Sequence, residues 1–109
     1  MTLPHATLTS AINVSPFGAR LPSERTCALF KTEDMEVIRI VLRGGQSLPP
    51  HSVPGSITLQ CLEGRFDVMV GQTLQHLSAG QLIHLPPKMP HAVRALEDSS
   101  GLVTIVLCA

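Results

Sequence analysis

The chain has 109 residues, 44% of them apolar and only 15% charged, with equal numbers of acidic and basic side chains. That length makes one domain, and zero net charge leaves no long-range field to draw nucleic acid or an anionic membrane. With no Trp, no Tyr and three Phe, modules that stack bases on aromatic side chains are excluded as well.

Residues 1–24 are rich in Thr, Ser, Pro and Ala without helical periodicity, and read as an irregular arm with room for one short strand. No basic residue precedes Arg20, and Pro4 and Pro16 flank only a weak apolar run. A secretory signal needs a charged start and a clean apolar stretch, so a cytoplasmic location is expected. No apolar run reaches the length of a membrane span.

From Thr26 the chain breaks into short runs bounded by turn chemistry. "TCALFK" leads through the polar turn "TED" into "MEVIRIVLR", which is dense in β-branched residues, and Gly44-Gly45 ends it. Pro49-Pro50 holds the approach to His51 extended. "ITLQCLEG" and "RFDVMV" follow, and Gly71-Gln72 suits a tight hairpin with glycine at its first central position. Next come "TLQHL", the turn "SAG" and "QLIHL". "PPKMP" cannot continue a ladder, because proline has no amide donor. "HAVRAL" resumes, "EDSSG" turns and "LVTIVL" closes the run. About eight or nine short strands at this spacing specify an all-β fold. The chain is too short for two sheets of long strands, so a compact single-domain jelly-roll barrel is expected.

Cys27, Cys61 and Cys108 are odd in number and lack C-x-x-C spacing. They read as free thiols in a reducing compartment, each a small hydrophobe. Arg39, Arg43, Arg65 and Arg94 fall within strand runs. Solvated outer-face positions are expected for them, since charged side chains are rarely buried unpaired.

Two blocks carry a family resemblance. Gly45 is followed after five residues by His51 and later by Gly64; Gly80 is followed after five residues by Pro86 and then by His91. Together they resemble the two motifs of the cupin family, G-x5-H-x-H-x3-E-x6-G and G-x5-P-x-G-x2-H-x3-N. The resemblance spans residues 27–107 and implies a small double-stranded β-helix, with a cupin-like barrel domain over residues 25–109 after the arm. It also implies where a metal would sit in family members that hold one. His51 and His91 stand at two of the four ligand positions, but Val53 stands at the second histidine position and Ile57 at the glutamate position. Lys88 stands for the second motif's glycine and Ala95 for its terminal asparagine.

Two histidines fall short of the three or four protein donors that a transition metal takes. Cys61 shares the parity of Ile57 but lies about 13 Å along the strand. His76 reads as a surface histidine, and His84 is the candidate third ligand. The ligand-binding set expected from the sequence is therefore His51, His91, Val53 and Ile57. In it two imidazoles anchor a small molecule in an apolar barrel and have the titration range for acid–base work. No resident cofactor is expected, a divalent transition metal on His51 and His91 being the alternative. Three functions follow from the pattern: a small-molecule-binding barrel, a metal-dependent dioxygenase or isomerase, or a structural or regulatory protein with a closed core. A homodimer is expected, with an exposed sheet edge or the arm covered by a second copy. Neither nucleic acid nor membrane is expected as a partner.

Overall fold

In the segment Ile57–Cys61 every second residue is apolar and buried, so one face of that run points to a core. The same alternation builds nine strands in the computed structural model, which describes residues 9–51 and 53–107, without the side chains of residues 49–51. These are β1 (Cys27–Lys31), β2 (Met35–Leu42), β3 (Ser47–His51), β4 (Ile57–Glu63), β5 (Arg65–Val70), β6 (Thr73–Ser78), β7 (Leu82–Leu85), β8 (His91–Ala95) and β9 (Ser99–Val106). They pair antiparallel in two sheets, β1-β2-β9-β4-β7 (sheet A) and β3-β8-β5-β6 (sheet B). The all-β jelly roll expected from the sequence is thus the fold observed. Phe66, Leu59 and Val68 from both sheets are wholly buried between them. Each such side chain contributes about 1.5–3 kcal/mol, so the sandwich closes on aliphatic burial.

Two glycines fix the chain reversals. Gly71 alone in its hairpin has a positive φ, +59°, as a type II′ turn between β5 and β6 requires. Gly64, at φ +81°, turns β4 into β5; a Cβ there would collide with Ser99 Oγ and the Asp98 carbonyl.

Two stretches differ from the sequence reading. Ser47–His51, read only as an extended approach, is a strand; it lies at the edge of sheet B, where proline costs no internal ladder bond. Ser99–Gly101, read as part of a turn, opens β9. There the serine hydroxyls are satisfied inside the fold: Ser99 Oγ donates to Glu97 O and accepts from the Arg65 amide, and Ser100 Oγ donates to Glu63. Tertiary hydrogen bonds override the local turn preference of serine.

Of the arm, residues 9–24 are described, and they include a 3-10 helix over Gly18–Ser23 and no strand. A register shift between Cys61 and Glu63 turns Glu63 outward, opposite Ser100, where strict alternation would have pointed it inward. On that outer face Arg39 lies 3.5 Å from the Glu63 carboxylate. The arm covers both. Ser15 O accepts from Arg39 at 2.9 Å, the amides of Phe17 and Gly18 donate to Glu63 at 2.9 and 3.1 Å, and the Phe17 ring lies 4.0 Å from the guanidinium carbon. Phe17 is right-handed helical and Gly18 left-handed, the backbone concavity that cups an anion. Arg43 grips the arm again through the carbonyls of Leu21, Pro22 and Glu24.

The expectation of solvated arginines therefore fails for Arg39, which is 2% exposed, because the arm buries it together with its carboxylate partner. Arg65 and Arg94 are exposed as expected. Cys27 is exposed and free; Cys61 is free and buried, and burial pushes its thiol up from its ordinary value. Cys108 lies outside the described residues.

Candidate functional site

Between the sheets lies a cavity of about 250 Å³. Its walls come from inward positions of both sheets: Ile38 and Ile40 on β2, Ile57 and Leu59 on β4, Val103 and Ile105 on β9, with Leu48, Leu85 and Val93 completing the aliphatic lining. Only Thr26 and His91 among the lining residues carry polar side chains. The Thr26 hydroxyl is already committed, donating to the Val41 carbonyl at 3.1 Å and accepting from its amide at 2.8 Å. That leaves His91 as the one titratable group of the described lining.

His91 opens β8, directly after the stiff loop of residues 86–90, and is 4% exposed. Its Nδ1 lies 3.3 Å from the Met89 carbonyl. A carbonyl only accepts, so Nδ1 is the donor in that contact. His51 ends β3 with its Cα directly across from that of His91. The two histidines singled out in the sequence are therefore brought into register, although the side chain of His51 lies outside the described residues. Ile57 is buried in the cavity wall, paired with Leu85 on one side and Ile105 on the other. Val53 packs against the core cluster, and its carbonyl accepts from the Lys88 amide at 2.8 Å.

His84 is not brought to His91. Leu85 faces the cavity, so its neighbour faces out; His84 is exposed, with Nε2 3.2 Å from Ser56 Oγ. His76 is exposed too, and its Nδ1 lies 2.6 Å from Asp67. Among the described residues no three His, Cys, Asp or Glu side chains gather as a metal site would require. Val53 and Ile57 are aliphatic, so neither of those two motif positions supplies a metal donor.

The sequence profile of the cupin domain matches residues 38–108, well over half of the chain. The chain belongs to the cupin family. The structure of this cupin is similar to that of a conserved protein of unknown function from Streptococcus pyogenes, at 27% identity and TM-score 0.73 over 77% of this chain and 74% of that one. It is also similar to an RmlC-like cupin from Shewanella frigidimarina, at 20% identity and TM-score 0.72 over 76% and 75% of the two chains. A cupin superfamily protein from Desulfitobacterium hafniense aligns over 97% of this chain and 90% of its own, at 16% identity and TM-score 0.75. These likenesses fix the fold. No curated protein matches the sequence.

One departure from the family motif has a backbone consequence. Lys88, at the motif's glycine position, has φ +63° and is the only described non-glycine residue in the left-handed region. That conformation costs an L-residue about 1–2 kcal/mol, of which glycine's greater unfolded-state freedom would return about 0.5–1 kcal/mol. Lys88→Gly is accordingly expected to stabilise the protein by about 0.5–1 kcal/mol, read as a raised urea midpoint at unchanged slope.

Proposed function

We propose that this cupin binds a small, mainly aliphatic molecule inside the barrel, held by hydrogen bonds to His91 and His51 and without a resident metal. The observation that carries this reading is the cavity itself: about 250 Å³ of space walled by Ile, Leu and Val, with one titratable side chain in its described lining. Burying an unpaired polar group costs free energy, and such a wall offers partners only at the histidine. The occupant is therefore an apolar body with one hydrogen-bonding group. A dry cavity of about 150 Å³ accepts benzene, so ligands of roughly six to ten heavy atoms are the right size. The free thiols of Cys27 and Cys61 support a reducing, cytoplasmic setting. No described helix is long and apolar enough to cross a membrane.

The register of His51 against His91 favours one second reading, a metal held by the two imidazoles in a dioxygenase- or isomerase-type site. The two readings separate cleanly. Under the first, protein reconstituted in turn with Fe, Mn, Ni, Zn and Cu carries metal well below one per chain. It also binds cyclohexanol saturably in a calorimetric titration, and His91→Leu weakens that binding about 10-fold or more, the loss of one hydrogen bond in an apolar site. Near-stoichiometric metal that disappears in His51→Ala and His91→Ala would establish the second. A barrel that takes neither metal nor any small apolar alcohol would leave the structural or regulatory role.

A further inference from the structure

We infer that the outer face of sheet B carries a second binding site, for a free α-amino acid with an aliphatic side chain. A hollow of about 230 Å³ opens there, on the far side of the sheet from the barrel cavity. Its walls include Ser47 on β3, Ala92 and Arg94 on β8, Asp67 and Met69 on β5 and Leu74 on β6. Register arranges these side chains in two rows. Ser47, Arg94, Asp67 and His76 lie directly across from one another on the four strands of the sheet. Ala92, Met69 and Leu74 form the next row of the same face, two residues along each strand.

Arg94 and Asp67 carry opposite charges at directly paired positions, yet no ion pair joins them. The Asp67 carboxylate is held instead by His76, whose Nδ1 donates to its Oδ1 at 2.6 Å. Among the described residues, Asp67 Oδ2, the Arg94 guanidinium and the Ser47 hydroxyl make no hydrogen bond. Arg65, two residues from Asp67 on the same face, is already paired with Glu97 at 3.8 Å. The hollow thus sets an unpaired guanidinium, a hydroxyl and one carboxylate oxygen beside an apolar floor.

That combination selects among ligands. A simple carboxylate pairs with Arg94 but meets the like charge of Asp67, and a simple amine meets the reverse conflict. A zwitterion with both charges on one carbon faces each protein charge with its opposite. Its carboxylate accepts from Arg94 and Ser47, and its ammonium donates to Asp67 Oδ2, in charge-assisted bonds about twice as strong as neutral ones. Neighbouring strands lie about 4.8 Å apart, close enough that one α-carbon carrying both groups spans them. The ligand side chain then covers Ala92, Met69 and Leu74, of which Met69 and Leu74 are exposed in the free chain. Leucine is a little larger than the benzene that a cavity of about 150 Å³ accepts, so it suits the volume.

The test is a titration with L-leucine, followed by calorimetry and by backbone amide shifts. Saturable binding is expected, with the shifts centred on Ser47, Asp67, Met69 and Arg94. Arg94→Gln and Asp67→Asn are each expected to weaken it about 10-fold or more, the loss of a hydrogen bond to a charged group. Should either variant fail to fold, the ligand carries the same test. N-acetyl-leucine lacks the ammonium and leucine methyl ester lacks the carboxylate, and each should lose affinity by about the same factor. Arg94 lies outside the barrel cavity, so cyclohexanol binding is expected to be the same in Arg94→Gln, and the two sites stand or fall separately. No binding of leucine at millimolar concentration overturns the inference. Shifts centred on the barrel lining, or N-acetyl-leucine binding as tightly as leucine, overturn it as well.

Discussion

Glu63→Ala is expected to lower the unfolding free energy by about 3–5 kcal/mol, the cost of removing one member of a buried ion pair. Against a total of roughly 5–15 kcal/mol for a domain of ordinary stability, this is a large fraction. The carboxylate is 14% exposed and takes hydrogen bonds from Ser100, Arg39 and the amides of Phe17 and Gly18. Removing it takes an acceptor from the Ser100 hydroxyl and both arm amides, and leaves Arg39 only the neutral Ser15 carbonyl and Ser100 hydroxyl. Arg39 suffers most: it is almost fully buried, its Nε already has no hydrogen-bond partner, and burial pulls its guanidinium down against the raising influence of Glu63. The arm loses the group its backbone concavity holds, so residues 15–18 should exchange amide protons faster than the barrel strands. Urea unfolding reads the loss as a lower midpoint. The double variant Arg39→Met, Glu63→Leu is expected to recover most of it, because a buried pair replaced by apolar residues leaves no orphaned charge. A Glu63→Ala protein as stable as the parent would mean that the arm does not dock as described.

The same carboxylate sets an acid limit. Burial alone would push the Glu63 carboxyl up, but Ser100, the two arm amides and Arg39 together hold it below its ordinary value of 4.5. A depressed carboxyl stabilises the fold fully above that ordinary value, and the contribution is lost as pH falls through the lower folded value. Stability of the parent should therefore decline on acidification below 4.5, with a flatter profile in Glu63→Gln.

Much of this architecture is legible in the sequence for a simple reason. A strand needs only period-two patterning and a turn, and "ITLQCLEG", "RFDVMV" and Gly71-Gln72 supply both. The resemblance puts His51 and His91 at two ligand positions of one motif pair. That their Cα atoms face each other across β3 and β8 comes from the structure, since Ser47–His51 does not read as a strand in the sequence. What stays hidden depends on one-residue shifts and on distant contacts. The outward turn of Glu63 comes from a bulge that no local signal marks, and without it the Arg39 pair cannot be foreseen. Ser99 and Ser100 look like turn residues until Glu97, Arg65 and Glu63 are known to satisfy their hydroxyls. The facing of His84 is likewise decided by its register with Thr58, which the sequence does not print. Whether the barrel is hollow is the least legible property of all. Leu, Ile and Val suit a filled core and an apolar cavity equally well, and only the positions of the opposing walls distinguish them.

Val103→Phe turns that difference into a measurement. Val103 lies on β9 between Ile38 and Leu59 and faces the cavity. A phenyl ring fills a cavity of about 150 Å³ by itself, which is more than half of the roughly 250 Å³ available here. In a hollow barrel the ring occupies empty space, and the unfolding free energy should stay within about 1 kcal/mol of the parent or rise. In a closed core the same ring must displace packed neighbours, which costs about 1–3 kcal/mol. Binding responds in the opposite sense. An apolar body of six carbons gains about 0.8 kcal/mol per buried methylene, so losing half of its contacts removes about 2.4 kcal/mol, close to a 60-fold loss of affinity. Retained stability with cyclohexanol binding weakened by roughly that factor would establish the barrel interior as the binding site. Destabilisation with no binding in either protein would establish a filled core, and the two register-paired histidines would then serve the fold rather than a ligand.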